Sequence, residues 1–394
     1  MQVVETGEVI ARDTAPADGE GQGGLPHALQ SHIGPLDGLR GWAALMVVIG
    51  HLHEFGINTF VTGPLGNYGV FLFFVLSGFL MGHLYMAKPI NAGRVRVYFA
   101  ARVSRIVPLY YATVMAGFLI GRLADPAFPF AMNGTQLAKH LTFGGSVSVF
   151  WSIGPEFQFY FLFPLLWWIV SIPRARAEPW IVSAAFTTIL AVTFRSMWPG
   201  IFVLSKLHIF LVGIGLASLR RHIKGEIARG PLIAMQLSAL LILMFLLLPQ
   251  EIAGSIIYPT SKFDLKHNEY YQDFGKLFLL GWVVFAFTFE SQLANVIFSN
   301  RVMKIIGKYS FSIYLLHVPI IYLLVKGTAF DALVLPLKLL VLLGTILCAC
   351  ALSFRLLEEP ARVATRKWLI WLFERIGDWL APRGAGDRVA GVKG

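Results

Sequence analysis

The sequence predicts an all-α fold, a polytopic membrane helix bundle of about ten transmembrane helices with both termini in the cytoplasm. Three observations predict it. Of the 394 residues, 56% are hydrophobic and only 14% are charged, whereas soluble domains carry about 25% charged residues. Apolar runs long enough to cross a bilayer recur along the chain. Lys and Arg are concentrated in alternate connections between these runs.

The apolar runs, separated by polar breaks or by Gly and Pro, define the predicted spans. They lie at 40–57, 69–87, 105–122, 151–172, 179–195, 201–219, 231–249, 276–294, 309–326 and 333–355. Residues 1–35 are polar and predict a disordered cytoplasmic tail, followed by a transmembrane domain over 36–357. Residues 358–380 mix Trp and Leu with charges and predict an amphipathic helix in the membrane interface. Residues 381–394 predict a second disordered tail.

The basic residues orient the bundle. With the N-terminus inside, the inner connections and the C-terminal tail hold 22 Lys and Arg, and the outer connections hold 5. This asymmetry follows the positive-inside rule and predicts a multi-pass protein of the inner (plasma) membrane. The net charge of +11 therefore reflects membrane topology. We expect the lipid bilayer, and not nucleic acid, as partner.

The first span carries two ionisable residues on one face. Arg40 and His51 are eleven residues apart in "LRGWAALMVVIGHLHEFGI", close to three helical turns and roughly 16 Å along the axis. Ionisable groups are costly on the lipid side, so both are expected to face the bundle interior. Arg40 alone is also compatible with an interfacial anchor, and His51 alone with a helix-packing hydrogen bond. Their shared face favours a functional site.

Further ionisable residues lie in other spans. Arg102 and Arg105 are three residues apart at the inner end of the third span, where they could clamp phosphates or simply mark the cytoplasmic side. Glu156 has aromatic neighbours near the outer end of the fourth span, so it needs a partner or a function. His317 falls near the middle of the ninth span, where structural and functional interpretations are equally open.

Ser77 is a further candidate, in "GVFLFFVLSGFL". It does not form a nucleophile elbow, because Val75 and Phe79 occupy the positions where glycines are needed. The pattern favours close helix packing through Ser77 and Gly78. No zinc-ligand or phosphate-loop motif occurs in the sequence, so no metal site is predicted.

Five motifs together resemble the acyltransferase 3 family of integral membrane O-acyltransferases. They are "LDGLRGWAALMVVIGH", "GVFLFFVLSGF", "ARVSR", "WSIGPEFQFYFLFP" and "YSFSIYLLH", within residues 36–360. The resemblance implies transfer of an acyl group, usually acetyl from cytoplasmic acetyl-CoA, to a hydroxyl of an envelope or exported glycan or glycolipid. Acetyl-CoA would act as donor substrate and not as a permanently bound cofactor, and polysaccharide-assembly proteins are expected partners. Some members carry an additional exported domain that this chain does not include, so we expect it to act alone or with a partner.

The resemblance also implies roles for individual residues. The family's Arg and His fall on Arg40 and His51, its paired arginines on Arg102 and Arg105, and its fourth-span glutamate on Glu156. One departure is Pro155, which replaces the usual aliphatic residue before the glutamate. Proline disfavours helix at the preceding residue, so a helix start or kink is expected to redirect the carboxylate.

These residues suit acyl transfer. We expect His51 to act as general base toward the acceptor hydroxyl, because imidazole titrates near neutrality. Arg102 and Arg105 would hold donor phosphates, Arg40 would bind phosphate or stabilise charge, and Glu156 would orient His51 or the acceptor. The principal alternative is a proton-coupled transporter, since buried Arg, His and Glu also suit a proton relay. A non-catalytic interaction protein would leave these residues without a purpose.

Overall fold

The computed structural model describes residues 33–59, 65–194, 197–248, 271 and 273–380. Within these ranges all regular secondary structure is helical and there is no strand, which confirms the all-α class. The predicted tails lie outside the described residues, except that the first helix already begins at Gly34.

Fifteen α-helices are present in the described ranges. They are α1 Gly34–Leu52, α2 Leu65–Tyr85, α3 Ala92–Leu123, α4 Gly134–Leu141, α5 Ile153–Ser171, α6 Arg174–Thr193, α7 Leu207–His222, α8 Arg229–Leu246, α9 Phe274–Ala286, α10 Gln292–Ile297, α11 Arg301–Lys308, α12 Ser310–Val325, α13 Thr328–Asp331, α14 Leu335–Ser353 and α15 Glu359–Leu380. Short 3₁₀ turns lie at His53–Phe55, Ser148–Ser152 and Val203–Ser205, and a π-helical turn at Phe354–Glu358.

Several helices are suited to a membrane. In the described residues, five helical segments are long and apolar enough to span one: Leu65–Tyr85, Ala92–Leu123, Ser148–Ser171, Arg229–Leu246 and Leu335–Ile376. A sixth forms if α11 and α12, which meet at 73°, count as one broken span. The chain is therefore a multi-pass membrane protein. The count of ten spans stays a prediction, because α7 and α9 are short and α1 carries charged residues.

The third helix differs most from its predicted span. It begins at Ala92, where the Asn91 side chain accepts a hydrogen bond from the Arg94 backbone N–H at 2.8 Å, and not at 105. The helix is therefore longer than the predicted span, and the placement of Arg102 and Arg105 at the inner end of that span stays a prediction. Both arginines lie inside the helix and contact neighbouring helices.

The connection between the third and fourth predicted spans, residues 122–150, is packed against the bundle. It contains α4, and its side chains Phe130, Phe143, His140 and Phe150 are buried in the core. Burial lowers the pKa of His140 to about 4, so the ring is neutral, and its Nδ1 lies 3.0 Å from the Tyr110 hydroxyl. This packed segment leads into α5.

Glycines bring α1, α2 and α7 into close contact. A Cβ on Gly78 would lie 2.1 Å from the Phe210 carbonyl oxygen of α7, and one on Gly69 would lie 2.5 Å from the Ala43 carbonyl oxygen of α1. The predicted close packing at Gly78 is confirmed. These contacts fix the position of α2 between α1 and α7.

The C-terminal helices form one continuous element. The π-helical turn joins α14 directly to α15, and α15 packs along α3. A helix is thus present over nearly all of the predicted 358–380 segment, and its placement in the membrane interface stays a prediction.

Candidate active site

A cavity opens between α1, α2, α3, α5 and α12. Its lining includes five of the seven residues singled out in the sequence: Arg40, Ser77, Arg102, Arg105 and Glu156. These residues come from four helices and are far apart in the chain. Helix packing therefore gathers them into one site.

Glu156 enters this cavity from the start of α5. The helix begins at Ile153, directly after the 3₁₀ turn, so Pro155 lies in the first helical turn. Proline is tolerated there because backbone N–H groups of the first turn have no helical partner. The helix start predicted from Pro155 is confirmed, and it directs the carboxylate toward α2.

One oxygen of Glu156 is held by two hydroxyl donors. Oε1 accepts hydrogen bonds from Ser77 Oγ at 2.8 Å and from Tyr160 Oη at 2.9 Å. Oε2 has no hydrogen bond to any described residue, so it is available to a ligand. Ser77 thus binds the Glu156 carboxyl group, in addition to the packing role predicted for it.

The arginines approach the cavity from α1 and α3. Arg40 Nη2 donates to Ser310 Oγ at 3.1 Å. Arg102 is only 8% exposed, donates from Nη2 to the Tyr85 hydroxyl at 3.2 Å, and lies 5.5 Å from the centre of that ring. Its Nε finds no partner within the described part of the chain. A buried guanidinium with an unused donor is suited to bind an anion.

Arg105 lies near a second carboxylate, which is buried. Glu358, in the π-helical turn, is 6% exposed, accepts a hydrogen bond from Ser312 Oγ, and interacts electrostatically with Arg105. Glu358 does not line the cavity. Of the described lining residues, three are arginines and one is a carboxylate, so the cavity carries excess positive charge and favours anionic ligands.

His51 lies outside this lining and against His317. His317 Nε2 is 3.4 Å from His51 Nδ1, and the ring centres are 5.0 Å apart at an interplanar angle of 66°. His317 is fully buried, whereas His51 is half-buried. The structure therefore places the two histidines together, and Arg40 and His51 line different regions of the site.

The backbone contacts of the pair fix its tautomers. His51 Nδ1 is 2.8 Å from the Val47 carbonyl oxygen, and His317 Nδ1 is 2.9 Å from that of Ile313. A carbonyl oxygen can only accept, so each neutral ring carries its proton on Nδ1. The lone pair of each ring is then on Nε2. That of His51 has no hydrogen-bond partner in the described ranges and can accept a proton.

Tyr314 connects the histidine pair with the cavity. Its ring centre is 6.2 Å from that of His317, and its side chain lines the cavity. The hydroxyl donates to the Val149 carbonyl oxygen at 2.7 Å and accepts from Ser152 Oγ at 2.6 Å. No hydrogen bond joins Glu156 to His51 among the described residues. Orientation of His51 comes instead from Val47 and His317.

Three contributors were not recognised from the sequence: Tyr160, Tyr314 and Glu358. Tyr160 follows Glu156 by four residues, the spacing of neighbours on one helix face, and this signal could have revealed it. The other two depend on contacts between distant helices. His53 and Glu54 are exposed.

Comparison with known proteins gives consistent matches. A family model described as an acyltransferase domain matches residues 33–355. "Acyltransferase MdmB" of Streptomyces mycarofaciens is 27% identical over 179 residues, covering 40% of this chain and 45% of that protein. "O-acetyltransferase OatA" of Staphylococcus aureus (strain NCTC 8325 / PS 47) is 23% identical over 379 residues, covering 87% of this chain and 59% of that protein.

These matches cover only part of each relative. The chain spans less than two thirds of the length of either curated protein. No solved structure matches this chain.

Proposed function

Because this chain belongs to the acyltransferase 3 family, we propose that it is a membrane-embedded O-acyltransferase. It moves an acyl group, taken here to be acetyl, from acyl-CoA to a hydroxyl of a surface or exported carbohydrate or glycolipid. The observation that carries this proposal is the single cavity in which Arg40, Arg102, Arg105 and Glu156 meet. Relatives named O-acetyltransferase and acyltransferase support the reaction class.

The donor occupies the arginine side of the cavity. Acyl-CoA is a polyanion, and the guanidinium groups of Arg102 and Arg105 bind its phosphates or the developing charge of the thioester oxygen. Tyr85 holds Arg102 in place at 3.2 Å, which reduces the side-chain entropy lost on binding. Arg40, fixed by Ser310, contributes a third positive charge from α1.

The acceptor hydroxyl is activated by His51. Its Nε2 takes the proton as the hydroxyl oxygen attacks the thioester carbonyl carbon, so one C–O bond forms and the carbonyl becomes a tetrahedral oxyanion. Collapse breaks the C–S bond and releases the CoA thiolate, which receives a proton from the imidazolium. Nδ1–H remains bound to the Val47 carbonyl oxygen throughout, so the ring does not change orientation. His317 supports that orientation.

Glu156 positions the acceptor. Ser77 and Tyr160 hold its Oε1, and Oε2 accepts a hydrogen bond from a second hydroxyl of the sugar. Glu156 is also the rival base, since it lies in the cavity and His51 does not. A glutamate base and a histidine base would give different pH profiles of turnover, because carboxylates and imidazoles titrate in different ranges.

The topology that accompanies this reaction has ten spans in the plasma membrane, with both termini and the donor in the cytoplasm. The bias of Lys and Arg toward the inner connections supports it. Reporter fusions after residue 225 should report inside, and fusions after residue 332 should report outside. The same side for both fusions would contradict this topology.

The transporter alternative receives no support from the comparisons, whose named relatives are acyltransferases. The two functions are separated by incubating membranes that contain the protein with acetyl-CoA labelled in the acetyl group. The proposal predicts label in a membrane glycan or glycolipid, in wild type and not in His51→Ala. Label that stays in acetyl-CoA, combined with proton flux across vesicles, would favour transport.

A further inference from the structure

Three basic side chains outside the cavity cluster at the inner ends of α2 and α7. They are His83 near the end of α2 and Arg220 and Arg221 in the last turn of α7. All three are half-buried, and both arginines act electrostatically on His83. The proposed reaction leaves this cluster without a role.

The cluster is held by a rigid helix contact. A Cβ on Gly82 would lie 3.0 Å from the Ala217 side chain, so α2 and α7 touch at this level. Arg221 Nη1 donates to the Gly82 carbonyl oxygen at 2.6 Å, and the His83 ring stacks on Phe79 with 5.6 Å between ring centres. The Arg221 guanidinium and the His83 ring are thus fixed in position before any ligand binds.

The positive charge of this cluster is not neutralised. Neither Arg220 nor Arg221 forms an ion pair with a described residue. The guanidinium carbon of Arg220 lies 4.2 Å from the centre of the Phe289 ring. Neither Arg220 Nε nor His83 Nδ1 has a hydrogen-bond partner in the described ranges. The adjacent Glu290 is exposed. Buried donors without partners are costly, which indicates that an anion completes the cluster.

The cluster lies directly inward of the cavity along α2. Leu80 and Met81 line the cavity, and His83 follows within one helical turn, on the cytoplasmic side in the proposed topology. Ser77 and His83 are separated by about 9 Å along the helix axis. The two side chains are also about 120° apart around the helix, so a ligand whose reactive end lies beside Ser77 and Glu156 would reach the cluster by passing around the inner end of α2.

We propose that His83, Arg220 and Arg221 form a phosphate-binding subsite for the nucleotide end of the acyl-CoA donor. That the ligand is the acyl-CoA donor rests on the proposed function. Arg is suited to this role because its planar guanidinium donates two parallel hydrogen bonds to phosphate oxygens. Arg102 and Arg105 then act nearer to the thioester. Anionic lipid headgroups offer the same phosphate chemistry from a second source.

The experiment compares the affinities of CoA and of pantetheine, which lacks the nucleotide phosphates, in nanodiscs of zwitterionic lipid. Arg220→Gln, alone and with Arg221→Gln, is tested against Lys224→Gln, an exposed cation beyond the same helix end. Arg220→Gln alone leaves the Arg221 contact to Gly82 intact. We expect CoA affinity to fall about 10- to 100-fold in the double variant, as for charge-assisted contacts. Pantetheine affinity, and the Lys224→Gln protein, should be nearly unchanged.

An unchanged CoA affinity in both arginine variants would overturn the proposal. In a second arm, phosphatidylglycerol replaces part of the lipid. If it competes with CoA in wild type and not in the double variant while acetyl transfer is unaffected, the cluster is a lipid site and the donor assignment is overturned. His51→Ala is assayed in parallel, since it should bind CoA without transferring acetyl. Absence of CoA binding in wild type would instead count against the proposed function itself.

Discussion

The cavity and the histidine pair both draw on α1 and α12, but they differ in charge and in how their groups are held. The cavity brings three arginines against one carboxylate, and several of its polar atoms have no partner among described residues. The histidine rings are each held through Nδ1 by a carbonyl oxygen of their own helix. In the proposed reaction this difference separates anion binding from proton transfer, with Tyr314 between the two regions.

The largest effect is expected in the histidine pair. His51→Ala should lower turnover by ~10²–10⁴-fold, because a general base acts in the transition state. Acyl-CoA affinity should be retained, since His51 does not line the cavity. An acetyl-transfer assay with a parallel binding measurement checks both expectations.

The control is His53→Ala, which removes an exposed ring whose Nδ1 lies 3.2 Å from Asn58 Oδ1 and should be mild. Retention of more than about a tenth of wild-type turnover in His51→Ala, well outside the general-base range, would assign the base to Glu156 or His317.

The next effect belongs to the cavity arginines. Arg102→Gln with Arg105→Gln should weaken acyl-CoA binding about 10- to 100-fold, as expected for charge-assisted hydrogen bonds. The Lys replacements should restore only part of this affinity, because an ammonium group lacks the planar fork. Calorimetric titration of CoA measures the difference.

Gln is preferred to Ala here because Arg102 is only 8% exposed and truncation would leave a void. Arg102 is thus a buried charge, and Arg105 is half-buried. Equal CoA affinity in wild type and in the double Gln variant would show that Arg102 and Arg105 do not bind the donor.

A smaller effect is expected from Ser77, and Gly78 provides its matched control. Ser77→Ala removes one of two hydroxyl donors to Glu156 and should lower turnover about three- to tenfold, the equivalent of one hydrogen bond. Gly78→Ala should reduce the folded yield, because its Cβ would lie 2.1 Å from a carbonyl oxygen of α7. If Ser77→Ala also fails to fold, the packing interpretation applies to both residues.

The smallest effect is expected away from both regions, at the outer end of α3. Hydrogen bonds from Lys326 and Tyr322 lower the pKa of Asp125 from its ordinary value of 3.8. Because the pKa is depressed in the folded state, this contact stabilises the fold above pH 3.8, and the stabilisation is lost as the pH falls through the folded value.

Asp125→Asn should therefore lower the melting temperature slightly at neutral pH. Below pH 3.8, variant and wild type should converge. Thermal unfolding at neutral pH and at a pH below 3.8 checks this. A difference in melting temperature that is the same at both pH values would show that the carboxylate charge plays no part.

The membrane class and most site residues could be predicted because an ionisable side chain inside an apolar run is costly and therefore informative. Arg40, Arg105 and Glu156 were recognised in this way, and the structure brings them to one cavity. The same logic does not locate the start of α3, because a helix can extend beyond the apolar run that marks a span and here begins at Ala92. The partnership of His51 with His317 could not be predicted, since it depends on how α1 meets α12.

The tyrosines show a second limit. Tyr160 and Tyr314 are embedded in helices rich in aromatic and aliphatic residues, where their sequence signal is that of packing. For Tyr160 only the four-residue spacing from Glu156 points to a contact, and the Tyr314 hydroxyl becomes informative only when Ser152 is found beside it. The sequence indicates only a connection between spans at 122–150, whereas in the structure its aromatic residues Phe130, Phe143 and Phe150 are buried in the core.

The central claim is that the arginine cavity receives the donor and presents its acyl carbon toward the histidine pair. It is tested most directly by a structure determined with a non-transferable thioether analogue of acetyl-CoA. The account predicts the analogue in the cavity, with its carbonyl group beside Glu156 and Tyr314 and its phosphates on arginines. An analogue bound elsewhere, with the cavity empty in a preparation that transfers acetyl groups, would contradict it.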